Sequence, residues 1–203
     1  MEVAKENVRQ EAHLLIFPAS VQGHINAMLP LADALSFAGS LRVSFLNTDH
    51  NHRLLSFFSL SQYSGFSLRP NLRFLSIPDG LSDDKPRLAY QLTELLHSFR
   101  THSMDSFRTL LLSGGNKDSD DWLPVTCIIV DGLMSYFMDE AQALGIPALA
   151  FRTISASSLW IYLQIPQMIE AGELPFPGSS KLANPKFIVS SIFLIRFQDS
   201  QIH

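Results

Sequence analysis

Two residues in this chain have the types and settings to act together as an acid–base pair. His24 follows the apolar run HLLIFP at positions 13–18, and Asp131 closes the apolar run VTCIIV at 125–130. An imidazole titrates near neutral pH, so where a buried strand turns into a helix it can serve as a general base. A carboxylate within reach of one ring nitrogen fixes the tautomer and stabilises the imidazolium, leaving the other nitrogen to accept a proton. Such a dyad is suited to deprotonating a hydroxyl. The same residues also have plainer uses: His24 could cap its helix, and Asp is a favoured N-cap for a helix starting near Leu133.

The dyad requires a scaffold that brings two strand ends to one edge. Continuous rather than alternating hydrophobicity marks strands buried on both faces of a parallel sheet. Strands are expected over 13–18, 42–47, 72–78, 125–130 and 147–151, with helices near 24–37, 51–58, 86–112 and 133–144 between them. The long third helix carries Leu92, Leu95, Leu96, Phe99 and Met104 on or near one face. This βαβ alternation predicts an α/β fold, a Rossmann-like parallel sheet with helices on both faces, whose ligand crevice lies at the carboxyl ends of the strands. Pro30 falls inside the first helix, where it removes a backbone bond, so that helix is expected to begin after His24 or to kink. Turn residues cluster at 59–66 and 113–122.

Composition narrows the functional classes. With 46% hydrophobic and 17% charged residues the chain can bury a real core, and a net charge of −4 with pI near 5.9 argues against nucleic acid or an anionic membrane as partner. A small neutral or acidic metabolite fits better. No run reaches the roughly 18–20 apolar residues of a membrane span, and residues 1–12 form a polar extension without a signal-type apolar segment. The single cysteine, Cys127, leaves no intramolecular disulfide, so the expected location is the cytoplasm. His50 and His52 form an H-x-H pair without a third ligand, so no metal site is expected.

The segments FPASVQGHINAMLPLADAL, FLNTDHNHRLL, FLSIPDGLSDD and CIIVDGLMSYFMDEAQALGIPALAFRTISASSLWIYLQIPQMIEAGELPF resemble the plant family 1 UDP-glycosyltransferases from about His13 to Pro177, most closely the branch that glucosylates small terpenoid acceptors. The resemblance implies the N-terminal half of a GT-B fold, with residues 13–183 as the acceptor-binding domain and the C-terminal UDP-sugar domain absent. Residues 184–203 depart from the family pattern and stand as an atypical tail, either an edge strand or the product of a misjoined reading frame.

By the same resemblance, His24 is the base and Asp131 its orienting partner, while Gln22 and Thr153 lie near the donor sugar. Phe17, Phe151, Trp160, Ile161 and Leu163 could wall an apolar acceptor pocket, or simply be core. The implied reaction is an inverting transfer of glucose from UDP-glucose to a small hydrophobic terpenoid or flavonoid, without a cofactor. Donor binding would require the C-terminal domain, so the chain alone is expected to have little or no activity and to self-associate through its exposed interdomain face. Two rivals stand beside this reading. A truncated, non-catalytic acceptor binder or gene-fragment product is the first; the second is a hydrolase in which Ser20 or Ser135 joins His24 and Asp131, although G-x-S-x-G is missing.

Overall fold

The computed structural model describes residues 12–37, 41–59, 70–88, 91–113 and 122–174, including side chains except those of 56–59. The expected tail at 184–203, the polar extension at 1–12 apart from Ala12, which opens the first strand, and most of both turn-rich connectors lie outside the described residues.

Five parallel strands form one sheet in the order β3-β2-β1-β4-β5: β1 (Ala12–Phe17), β2 (Leu41–Thr48), β3 (Leu72–Ile77), β4 (Cys127–Asp131) and β5 (Ala148–Phe151). β1 lies between β2 and β4, which explains why Leu15, Ile16 and Phe17 are fully buried and why its sequence does not alternate. Helices cover both faces. On one, Ile25, Met28, Leu29 and Ala32 of α1 (Gln22–Ser36) pack on Ile16, Val43, Phe45 and Leu72. On the other, α3 (Leu92–Ser98), α4 (Met104–Ser113) and α5 (Ser135–Ala143) bury Leu96, Phe107, Leu110, Phe137 and Ala141 against Leu15, Phe17, Leu46, Ile128 and Val130. Two further helices, α2 (Asp49–Ser59) and α6 (Ala156–Glu170), follow β2 and β5. No helix among the described residues is long and apolar enough to cross a membrane.

Three expectations are revised. α1 starts before His24 and runs through Pro30, because the proline lies on the exposed side, where water can take the carbonyl it leaves unpaired. The long helix begins six residues later than its hydrophobic pattern suggests. Pro86–Leu88 are held in a loop by Arg87, which is buried and forms paired bonds of 2.9 Å from Nε and Nη2 to the Asp79 carboxylate. That helix is also interrupted by a π-helical turn, Phe99–Ser103. Its i→i+5 bonding widens the turn, so Ser98 and Ser103 can share one side. Their hydroxyls donate to the successive carbonyls of Asp79 and Pro78, each at 2.7 Å, fastening the loop after β3 to the helix. Finally, α6 was not anticipated at all.

Candidate active site

The carboxyl ends of β1, β4 and β5 meet at one edge of the sheet, where Phe17 is the register partner of Val130 and Asp131 that of Phe151. The turn after β1 leads within a few residues into α1, whose third residue is His24. Asp131 is the last residue of β4, and Thr153 follows β5 by two positions.

The three side chains converge. His24 Nδ1 lies 2.5 Å from Asp131 Oδ2, and Thr153 Oγ1 lies 3.1 Å from the same nitrogen. Nδ1–H donates to the carboxylate, which leaves Thr153 as the lesser acceptor of a shared hydrogen and puts the imidazole lone pair on Nε2. Asp131 is almost wholly buried, whereas the His24 side chain keeps 20% of its surface open. Nε2 has no hydrogen-bond partner among the described residues and is free to receive a proton from a bound molecule. The other carboxylate oxygen, Oδ1, accepts the Leu133 amide at 3.0 Å, so Asp131 also shapes the turn into α5 without being its N-cap. The expected N-cap role is not borne out, because the cap position of α5 falls on Met134.

The remaining candidates are distributed differently. Gln22 opens α1, exposed, with its amide donating to Asn26 Oδ1 at 2.7 Å. Phe17 is not a pocket wall: it is fully buried, with ring centroids 5.0 Å from Phe137, 5.8 Å from Phe107 and 5.9 Å from Phe99. Its position on the central strand makes it core. Phe151 is half-buried against the α1 side of the sheet. Trp160, Ile161 and Leu163 sit on α6 with large exposed areas.

The serine triad fails on geometry. Ser20 is buried, its hydroxyl 3.1 Å from Thr48 Oγ1 and 2.6 Å from the Asn51 amide nitrogen, and no bond links Ser20 or Ser135 to His24. His50 and His52 lie on α2, and no group of three or more potential metal ligands occurs among the described residues. Sequence reasoning missed the Ser20–Thr48–Asn51 cluster and the Asp79–Arg87 pair. Each joins polar residues at or after strand ends that are distant in sequence, from 8 to 31 positions apart, and in one sequence such residues look like ordinary solvated helix starts and turns.

No protein-family model matches the chain. Among curated proteins it is 38% identical over 168 residues to 7-deoxyloganetic acid glucosyltransferase of Catharanthus roseus, covering 82% of this chain and 34% of that protein. It is 36% identical to (R)-mandelonitrile beta-glucosyltransferase of Prunus dulcis, covering 87% and 35%. The chain thus spans about a third of the length of these relatives. Among solved structures, a UDP-glucose:anthocyanidin 3-O-glucosyltransferase in complex with UDP superposes with a TM-score of 0.57 at 22% identity, over 80% of this chain and 34% of that one. Phytolacca americana UGT2, complexed with UDP-2-fluoro-glucose and pterostilbene, gives 0.58 at 20% identity, over 80% and 35%. These two likenesses concern the fold.

Proposed function

Since this chain is a relative of the plant UDP-glycosyltransferases, matching the N-terminal third of their length, we propose that it is the acceptor-side domain of such an enzyme, with His24 as general base. The observation that carries the reading is the 2.5 Å contact between His24 Nδ1 and a buried Asp131 carboxylate, with Nε2 left open.

In this mechanism Nε2 removes the proton of an acceptor hydroxyl or carboxylic acid as its oxygen attacks the anomeric carbon of glucose. The bond to UDP breaks on the opposite face, and the anomeric configuration inverts. Asp131 stabilises the imidazolium that forms. Gln22 and Thr153 line the sugar side, and Phe151 offers apolar surface to an acceptor. The acceptor is a small hydrophobic terpenoid or flavonoid, the donor UDP-glucose, and the location the cytosol.

General-base help supplies about 10²- to 10⁴-fold, while holding two reactants together lowers a barrier by roughly 7–11 kcal/mol. The larger effect needs a donor-binding domain, so the chain alone is expected to bind acceptors without turning them over. Calorimetric titration with flavonoid and terpenoid aglycones, and separately with UDP-glucose, tests this. Acceptor binding without donor binding is the expected pattern, and the reverse pattern overturns the domain assignment. With a donor domain from a full-length relative supplied in trans, His24→Ala should reduce glucoside formation about 10²- to 10⁴-fold. An unchanged rate removes His24 from the mechanism.

A further inference from the structure

His24 occupies the third position of α1, so its placement depends on how that helix is entered. The usual device is absent: the N-cap is Val21, which has no side-chain acceptor, and the first turn carries no acid. The entry is instead held from a neighbouring element. Asn51, in the first turn of α2, donates from Nδ2 to the Ser20 carbonyl at 3.2 Å and to the Ser20 hydroxyl at 2.6 Å. The Ser20 and Thr48 hydroxyls lie 3.1 Å apart, and Thr48 Oγ1 accepts the Asn51 backbone amide at 3.2 Å, closing a ring of three residues. Thr48 is fixed in turn, because its amide donates to Asn47 Oδ1 at 2.8 Å. All four residues are buried. From Ser20 the chain passes directly to Val21, whose carbonyl accepts the His24 amide at 2.9 Å.

We infer that Asn51 and Thr48 are positioning residues for the general base, holding the entry of α1 from the end of β2 so that His24 meets Asp131. No hydrogen bond links the ring to the imidazole. The ring acts through the three residues Val21, Gln22 and Gly23, whose one side-chain hydrogen bond among the described residues, from Gln22 to Asn26, stays within α1. Buried polar groups cost stability unless fully paired, and a closed ring of directional bonds defines a position more sharply than apolar packing alone. This inference rests on the reading of His24 as base.

The test uses a readout that a purely structural role would leave unchanged. In the full chain, the short bond from His24 Nδ1 to Asp131 should give a slowly exchanging, downfield proton resonance, assigned by its loss in Asp131→Asn. Thr48→Val and Asn51→Asp keep side-chain shape but remove a hydroxyl and the two amide donors. Each should shift that resonance and speed its exchange about ten-fold, the factor for one lost hydrogen bond, while thermal unfolding remains cooperative. Thr48→Ser restores the hydroxyl and should restore the resonance. Ser20→Ala, a smaller change, decides the matter if either substitution prevents folding. A folded variant whose resonance and exchange match the parent chain overturns the inference. Loss of acceptor binding in calorimetry does not bear on this outcome, so failure of the sugar-transfer reading and failure of the positioning role remain distinguishable.

Discussion

A second histidine shows how strongly surroundings decide what an imidazole does. His13, at the opposite end of β1 from the dyad, is fully buried, with Nδ1 donating to the Leu123 carbonyl at 2.7 Å and Nε2 2.8 Å from Ser44 Oγ. Arg73 donates from Nε to the same Ser44 oxygen at 2.8 Å and lies 4.1 Å from the Trp122 ring, which meets the His13 ring edge-on at 5.2 Å. Burial foremost, and then the charges of Arg73 and Arg42, push the His13 pKa down to about 4, although its bond to Leu123 works the other way. Above an unfolded value near 6.5, His13 is neutral in both states and its contribution to stability is complete. As pH falls towards 4 the unfolded chain takes up the proton first, so stability should decline across that window by up to about 3 kcal/mol. Urea unfolding at pH 7.5 and pH 4.5 should show a smaller drop in His13→Gln than in the parent chain, and equal drops would contradict the assignment. From the sequence His24 and Asp131 were legible because each follows an apolar strand. His13 was read only as the start of a strand, since its partners come from β2, β3 and the segment before β4.

Among the elements, the strands were the more legible part because parallel, doubly covered strands carry unbroken apolar runs. The π turn was not, because Phe99 and Met104 fit a helical stripe whether the turn is α or π. Its consequence is measurable. Ser103→Ala would remove the hydrogen bond to the Pro78 carbonyl, which belongs to an exposed residue that water can reach, at a cost of about 0.5–1.5 kcal/mol. Denaturant unfolding should register that loss, and amide exchange should quicken over 79–88, the loop that the serines fasten. Gly80 in the same loop sits at φ 77° with the His102 ring so close that an added Cβ would lie 2.4 Å from Cγ. Gly80→Ala should therefore destabilise by more than the roughly 1–2 kcal/mol charged for a left-handed residue alone, as read by its unfolding midpoint. The unanticipated α6 has a different origin: its residues are apolar on most sides, and only Ile165 is buried, so the sequence shows no single buried stripe from which to recognise it.

At the scale of the whole molecule, β5 is the outermost strand on its side of the sheet, and Leu149 on it is 58% exposed. Trp160 and Ile161 on α6 are exposed by 65% and 59%. Apolar surface of this extent favours association. Sedimentation velocity should show concentration-dependent self-association, and Trp160→Ser with Ile161→Ser should shift the chain towards monomer with its helical content retained. Unchanged sedimentation of the double variant would mean that this face is not the contact. The strand order has a separate consequence. It reverses between β1 and β4, whose facing residues come from opposite sides of the chain segment joining Ser113 to Trp122, and the dyad spans a sequence separation of 107. Two polypeptides divided in that segment would each carry one member of the proton-handling pair, and neither could assemble it unaided. Reappearance of the short hydrogen bond on mixing would thus report, from inside the molecule, that its two halves had zipped together in the native alignment.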